Sequence, residues 1–219
     1  MEKEEDRMMR FLVADDHAII RKGIRSVLEG RYPFCSVDDT PSIDGILTCA
    51  GAFRYDLALL ELILGDGNLF DHIEAVMGAL KGTPLLIVSM APEHLFFRRA
   101  ISVGCAGFLS KNAEETEVLR AVAQVLRGEM YMSAEQRSIL QLHKEAHDPR
   151  QDPFSSLSAR ELAVMYEISK GLGIKEIADR LALSPSTVAT YKARSFDKLG
   201  ITSVIELGRL LDAHDTGPG

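Results

Sequence analysis

Asp56-Leu57-Ala58-Leu59-Leu60-Glu61 is an apolar run that delivers a carboxylate at its C-terminal end, and it reads as a buried strand. Three other runs share the pattern. Phe11-Leu12-Val13-Ala14 ends in the acidic pair Asp15-Asp16, Leu85-Leu86-Ile87-Val88 ends in Ser89, and Gly107-Phe108-Leu109-Ser110 ends in Lys111. A weaker strand candidate runs from Phe34 to Val37. Helical patterns alternate with these: Ala18 to Leu28 with Gly30 as a stop signal, Ser42 to Ala52, Leu69 to Leu80, Glu93 to Val103, and Ala113 to Leu126. The alternation predicts an α/β fold, a five-stranded parallel sheet doubly wound by helices, with a site at the carboxyl edge of the strands.

Each polar strand end also has a bland reading, the acidic pair as a solvated turn and Lys111 as a surface residue. Their order and spacing together carry the argument. The chain has 219 residues, enough for one or two domains, and 46% hydrophobic content supports buried cores. No apolar run is long enough to span a bilayer, and Met1-Glu2-Lys3-Glu4-Glu5-Asp6 is unlike a secretory signal, so a cytoplasmic location is expected. Cys35, Cys49 and Cys105 are scattered without CxxC spacing, which indicates neither a disulfide framework nor zinc. The net charge of −7 lies entirely in residues 1–149, with 16 Lys and Arg against 23 Asp and Glu, whereas residues 150–219 hold 9 of each. Affinity of the second half for a polyanion would therefore rest on clustering of charge on one face and on dimerisation.

Beyond Gly128 the pattern changes. Ser133 to His147 reads as an interdomain helix, and His147-Asp148-Pro149-Arg150-Gln151-Asp152-Pro153 as a polar linker. An all-helical domain follows. Ser158-Ala159-Arg160-Glu161 is a capping box that should start a helix from Ala159 to Lys170, stopped by Gly171. The next helix, Ile174 to Leu181, leads through a turn at Ala182-Leu183 to Ser184-Pro185, an N-cap with proline at the first helical position. A third helix should span Pro185 to Leu199, and a last one, Ser203 to Leu211, shows much apolar surface. Two helices joined by a short turn are a helix-turn-helix candidate, although a generic three-helix bundle has the same outline.

The first half resembles a response-regulator receiver domain of the NarL/LuxR type, a flavodoxin-like fold. The likeness is carried by Asp-Asp-His at 15–17, the run at 56–61 and Gly-Phe-Leu-Ser-Lys at 107–111. It implies that Asp15 and Asp16 help to hold Mg2+, that Ser89 and Lys111 bind phosphoryl oxygens, and that Phe108 reports the switch. The phosphate-accepting aspartate of the family is replaced by Glu61. One extra methylene moves the attacking oxygen by more than ~1 Å, which should be severely harmful to acceptance of phosphate. Glu61 would instead reach toward Lys111 and Ser89. Two readings stay open: a permanent negative charge that imitates the phosphorylated state, or an ion pair with Lys111 that locks the domain in an inert one. Met90 either covers the pocket or packs against the following helix. Asp15, Asp16 and Glu61, with a backbone carbonyl near Ile63, would suit Mg2+ as hard oxygen ligands, whereas His17 reads as a helix-start residue.

The second half resembles the LuxR-type DNA-binding domain through Leu157-Ser158-Ala159-Arg160-Glu161-Leu162, Lys175-Glu176-Ile177-Ala178, Leu183-Ser184-Pro185-Ser186-Thr187-Val188 and Lys198-Leu199-Gly200. The resemblance implies that Ala189, Thr190 and Ala193 face bases in the major groove of double-stranded DNA. Lys175, Ser186, Thr187, Lys192, Arg194 and Lys198 would serve phosphate or flanking contacts. Tyr191, Ser195 and Asp197 depart from the family pattern. The expected organisation is a receiver at 1–128, a linker with a helix at 129–156 and a helix-turn-helix domain at 157–219. The expected function is transcriptional regulation as a homodimer that works without phosphorylation, its receiver set by fixed conformation, a regulatory protein or a small-molecule ligand. The alternative is a protein-interaction adaptor with weak or no DNA binding. An enzyme is not expected, because the receiver resemblance already accounts for the carboxylate cluster.

Overall fold

The computed structural model describes residues 8–138 and 153–215. Five parallel strands form the central sheet: β1 (Arg10–Ala14), β2 (Ser36–Thr40), β3 (Leu57–Leu60), β6 (Leu85–Ser89) and β7 (Gly107–Ser110), in the order β2-β1-β3-β6-β7. The order reverses direction at β1 and β3, so the crevice beyond their carboxyl ends is where a ligand would sit. Side chains alternate across the sheet with a period of two. Phe11, Val13, Leu57, Leu59, Leu86 and Val88 pack with Leu28 of α1 (Ala18–Arg31) and Val122 and Val125 of α5 (Glu115–Leu126). Leu12, Ala14, Ala58, Leu60 and Ile87 face α2 (Ile43–Ala52), α3 (Ile73–Leu80) and α4 (Glu93–Ser102).

Several boundaries differ from the sequence reading. Helix α1 runs through Gly30 and is capped at Tyr32. Strand β2 begins at Ser36, leaving Phe34 outside it and exposed. The stretch expected as one helix from Leu69 is a 3-10 turn, Leu69–Asp71, followed by α3. A small antiparallel hairpin, β4 (Ile63–Leu64) and β5 (Gly67–Asn68), was not anticipated. Gly67 there has φ of 147°, a conformation that side chains disfavour.

The helical domain comprises α6 (Ala159–Ser169), α7 (Ile174–Arg180), α8 (Pro185–Leu199) and α9 (Val204–Asp215). The capping box at Ser158 and Glu161 is complete, and the Ser184 hydroxyl accepts the Thr187 N–H at the start of α8. Gly200 closes α8 in the left-handed conformation. Residues 134–138 are helical, and the rest of the expected interdomain helix, with most of the expected linker, lies outside the described residues. No described helix is long and apolar enough to cross a membrane.

The core on the α2–α4 side of the sheet continues into the helical domain through Phe154, Leu157, Leu162 and Met165. Phe96 of α4 meets Tyr166 of α6 edge to face, with ring centroids 5.8 Å apart. The Tyr166 hydroxyl donates to the Met90 carbonyl at 2.9 Å, and the Arg99 guanidinium donates to the Leu157 carbonyl. Asp71 and Arg160 form an ion pair across the same seam at 2.7 Å.

Candidate functional site

Strands β1, β3, β6 and β7 bring Asp15, Glu61, Ser89 and Lys111 together at the carboxyl edge. Glu61 is almost fully buried, and four donors surround its carboxylate. Its Oε1 accepts from the backbone N–H groups of Leu62 at 2.6 Å and Ile63 at 3.3 Å, and from the Ser89 hydroxyl at 2.5 Å. Its Oε2 lies 2.5 Å from Lys111 Nζ. The same ammonium stands 2.5 Å from Asp15 Oδ2. Burial opposes the charge on Lys111, but the Glu61 and Asp15 carboxylates outweigh it and raise its pKa. Phe108 on β7 is fully buried, and its carbonyl accepts from Gln136 Nε2 at 2.7 Å. Gln136 and Ser133 both also donate to Glu93 at 2.9 Å, tying the chain after β7 to the start of α4.

The acidic pair offers hard oxygen donors for Mg2+, and Glu61, the third carboxylate expected with them, is turned toward Lys111. The ligand atoms that lie within 4.8 Å of one another belong to Asp15, Asp16 and His17, and Glu61 stands outside this group. The Lys111 ammonium bridges Asp15 and Glu61 in this arrangement. His17 caps no backbone donor with its side chain, and its Nδ1 lies 2.7 Å from Asp16 Oδ1.

The pocket is small, about 50 Å3, and it has a roof. Beside Asp16, His17, Glu61, Ser89, Met90 and Lys111 it is lined by Tyr166, Glu167, Lys170 and Arg180 of the helical domain. Met90 both lines the pocket and keeps about half its surface exposed. Glu167 is fully buried and pairs with Lys170 at 3.1 Å and Arg180 at 3.4 Å. Sequence reasoning missed these four residues. The available signal was an acidic residue inside the buried run Leu162 to Ile168.

On α8, Ala189, Thr190, Ala193 and Arg194 are exposed, as is Lys175 near the start of α7. Ser186, Thr187, Thr190, Tyr191 and Arg194 line a shallow hollow of about 240 Å3. The Ser186 and Thr187 hydroxyls lie 2.8 and 2.7 Å from the Ser184 hydroxyl, and Lys192 sits 5.4 Å over the Phe196 ring. Lys198 is less available than its position suggests, because its ammonium is 2.6 Å from buried Glu161. Ser195 is buried, and its hydroxyl has no hydrogen-bond partner among the described residues.

Comparison with known proteins gives two family matches: the response regulator receiver domain over residues 11–123, and the bacterial regulatory proteins of the luxR family over residues 155–211. The chain is 33% identical to the response regulator GacA of Pseudomonas aeruginosa, covering 94% of this chain and 97% of that relative. It is 30% identical to the response regulator UvrY of Escherichia coli K12, covering 94% and 95%. Among solved structures, RcsB of Salmonella typhimurium superposes with a TM-score of 0.69 at 20% identity, covering 94% of this chain and 98% of that one, a likeness of fold.

Proposed function

We propose that this chain, which belongs to the NarL/LuxR-type response regulators, is a DNA-binding transcriptional regulator whose receiver is held in one state by Glu61 and works without phosphorylation. One observation carries the reading: the Glu61 carboxylate accepts from Ser89, Lys111 and the two backbone N–H groups that follow it. Ser89 and Lys111 are the residues that the family uses for phosphoryl oxygens, so a fixed anion stands where a transient one would be received. The buried Phe108 is in keeping with a set switch. A carboxylate consumed by four donors is a poor nucleophile, and the roofed pocket leaves little room for a phosphodonor.

Double-stranded DNA is the proposed partner, read by Ala189, Thr190 and Ala193, with Lys175, Ser186, Thr187, Lys192 and Arg194 along its backbone. Solved RcsB structures include promoter complexes and dimers on DNA, which supports the same mode here, as a homodimer. Mg2+ is not required for this function, since Lys111 supplies the cation between Asp15 and Glu61. The adaptor reading draws on the pairing of Lys198 with Glu161, which removes one cation from the DNA face.

Selection of a random duplex pool by the unmodified full-length protein tests the proposal. Enrichment of an inverted repeat is expected, with no mass gain when the protein is incubated with a small phosphodonor and Mg2+. Stoichiometric phosphoryl uptake overturns the phosphorylation-independent part, and absence of any enriched duplex favours the adaptor.

A further inference from the structure

The ion pair at the domain seam reaches further than the seam. Arg160, in the first turn of α6, sets its Nε 2.7 Å from Asp71 Oδ1, and its Nη1 lies 3.4 Å from the Tyr191 hydroxyl. Asp71 ends the 3-10 turn of the receiver, and Tyr191 stands on α8 between Thr190 and Lys192. Tyr191 also lines the hollow formed with Ser186, Thr187, Thr190 and Arg194. A receiver carboxylate therefore sits one guanidinium away from the face of α8 assigned to DNA.

We propose that Arg160 and the Tyr191 hydroxyl form a binding site for a DNA backbone phosphate flanking the recognition helix, and that the Asp71 carboxylate occupies this site while the two domains are packed together. The proposal rests on the DNA-binding reading above. A guanidinium offers the same planar fork to a carboxylate and to a phosphate, so Asp71 is a chemically suitable stand-in. Arg160 keeps 43% of its side chain exposed, against 12% for Asp71, so water and a phosphate can approach the pair from the guanidinium side. Asp71 and a phosphate need the same donors and exclude each other. By linkage, whatever weakens the Asp71 contact tightens DNA binding, and DNA in turn loosens the receiver from α6.

The test measures affinity of the full-length chain for a random-sequence duplex between about 50 and 200 mM salt, for the wild type, Asp71→Asn, Arg160→Gln and the double variant. Asp71→Asn should bind severalfold tighter. Arg160→Gln should bind severalfold weaker, with the slope of log affinity against log salt reduced by about 0.9 per protomer in both backgrounds, the signature of one lost phosphate contact. If Arg160→Gln tightens binding as Asp71→Asn does, with an unchanged slope, the pair is only a clip between domains and the proposal falls. If neither the wild type nor any variant binds duplex, the DNA-binding reading falls and takes this one with it.

Discussion

Glu61→Gln keeps the length of the side chain and one acceptor oxygen while removing its charge. Lys111 retains Asp15 at 2.5 Å, so the fold should survive the change. If the charge sets the receiver, duplex affinity should shift about 5- to 150-fold, the usual span of one coupling energy. A fall in affinity would identify Glu61 as an imitation of phosphate and a rise as a lock, whereas an unchanged affinity in a binding titration would sink the idea that its charge is the switch. Ser195 is a second residue whose chemistry runs against its surroundings. Its buried hydroxyl lacks a partner among the described residues, so Ser195→Ala should raise stability by about 1 kcal/mol, read as a higher urea midpoint. Both residues were legible in the sequence as departures from a pattern. The reach of Glu61 toward Lys111 and Ser89 was legible as well, but the N–H groups of Leu62 and Ile63 were not, because they depend on how the backbone turns after β3.

Helix α6 depends on a carboxylate that does two jobs. Glu161 accepts the Ser158 N–H at 2.7 Å and pairs with Lys198 of α8 at 2.6 Å, which joins two helices through one cap. Burial pushes its pKa up, but the Lys198 ammonium and the Ser158 donors prevail and hold it below the ordinary carboxylate value. A carboxylate depressed in the folded state adds stability above its unfolded pKa and loses it as pH falls through the folded one. Glu161→Gln should therefore cost about 1 kcal/mol near neutrality. It should also flatten the acid limb of the stability curve below about pH 4. Unfolding followed by circular dichroism across pH checks both, and an unchanged acid limb would move the effect to another carboxylate. The starts of α6 and α8 were readable because capping is local chemistry, written in Ser158 with Glu161 and in Ser184 with Pro185. Strand β2 was misplaced because its acidic residues look unlike a strand until their partners are known: Asp38 receives Arg10 and Tyr55 at 2.9 Å, and Asp39 receives Arg21 at 2.8 Å. The β4–β5 hairpin escaped because strands of two residues carry no period. Gly30 failed to stop α1 because a glycine near a helix end costs only about 1 kcal/mol, which packing of the helix can override.

Across the whole molecule, the helical domain acts as a roof for the receiver pocket, a relation between residues more than seventy positions apart that no local pattern encodes. Tyr166 is its keystone, bonded to the Met90 carbonyl, packed on Phe96 and overlain by the Lys170 ammonium at 3.8 Å. Even a receiver with its aspartate restored would meet this roof. Glu61→Asp alone should take up phosphate slowly from a small donor, because the pocket of about 50 Å3 admits little beyond water while α6 is docked. Tyr166→Ala removes the hydroxyl contact and the aromatic edge, together worth about 2 kcal/mol or more, and that shifts the packed arrangement toward an open one by tenfold or more. The double variant Glu61→Asp with Tyr166→Ala should then be phosphorylated about tenfold faster than Glu61→Asp, and its radius of gyration in solution scattering should rise. Rising uptake with an unchanged radius would mean local opening at Met90 without separation of the domains. Equal rates and equal radii would mean that α6 does not cover the site in solution, and the receiver's isolation from phosphodonors would then rest on Glu61 alone.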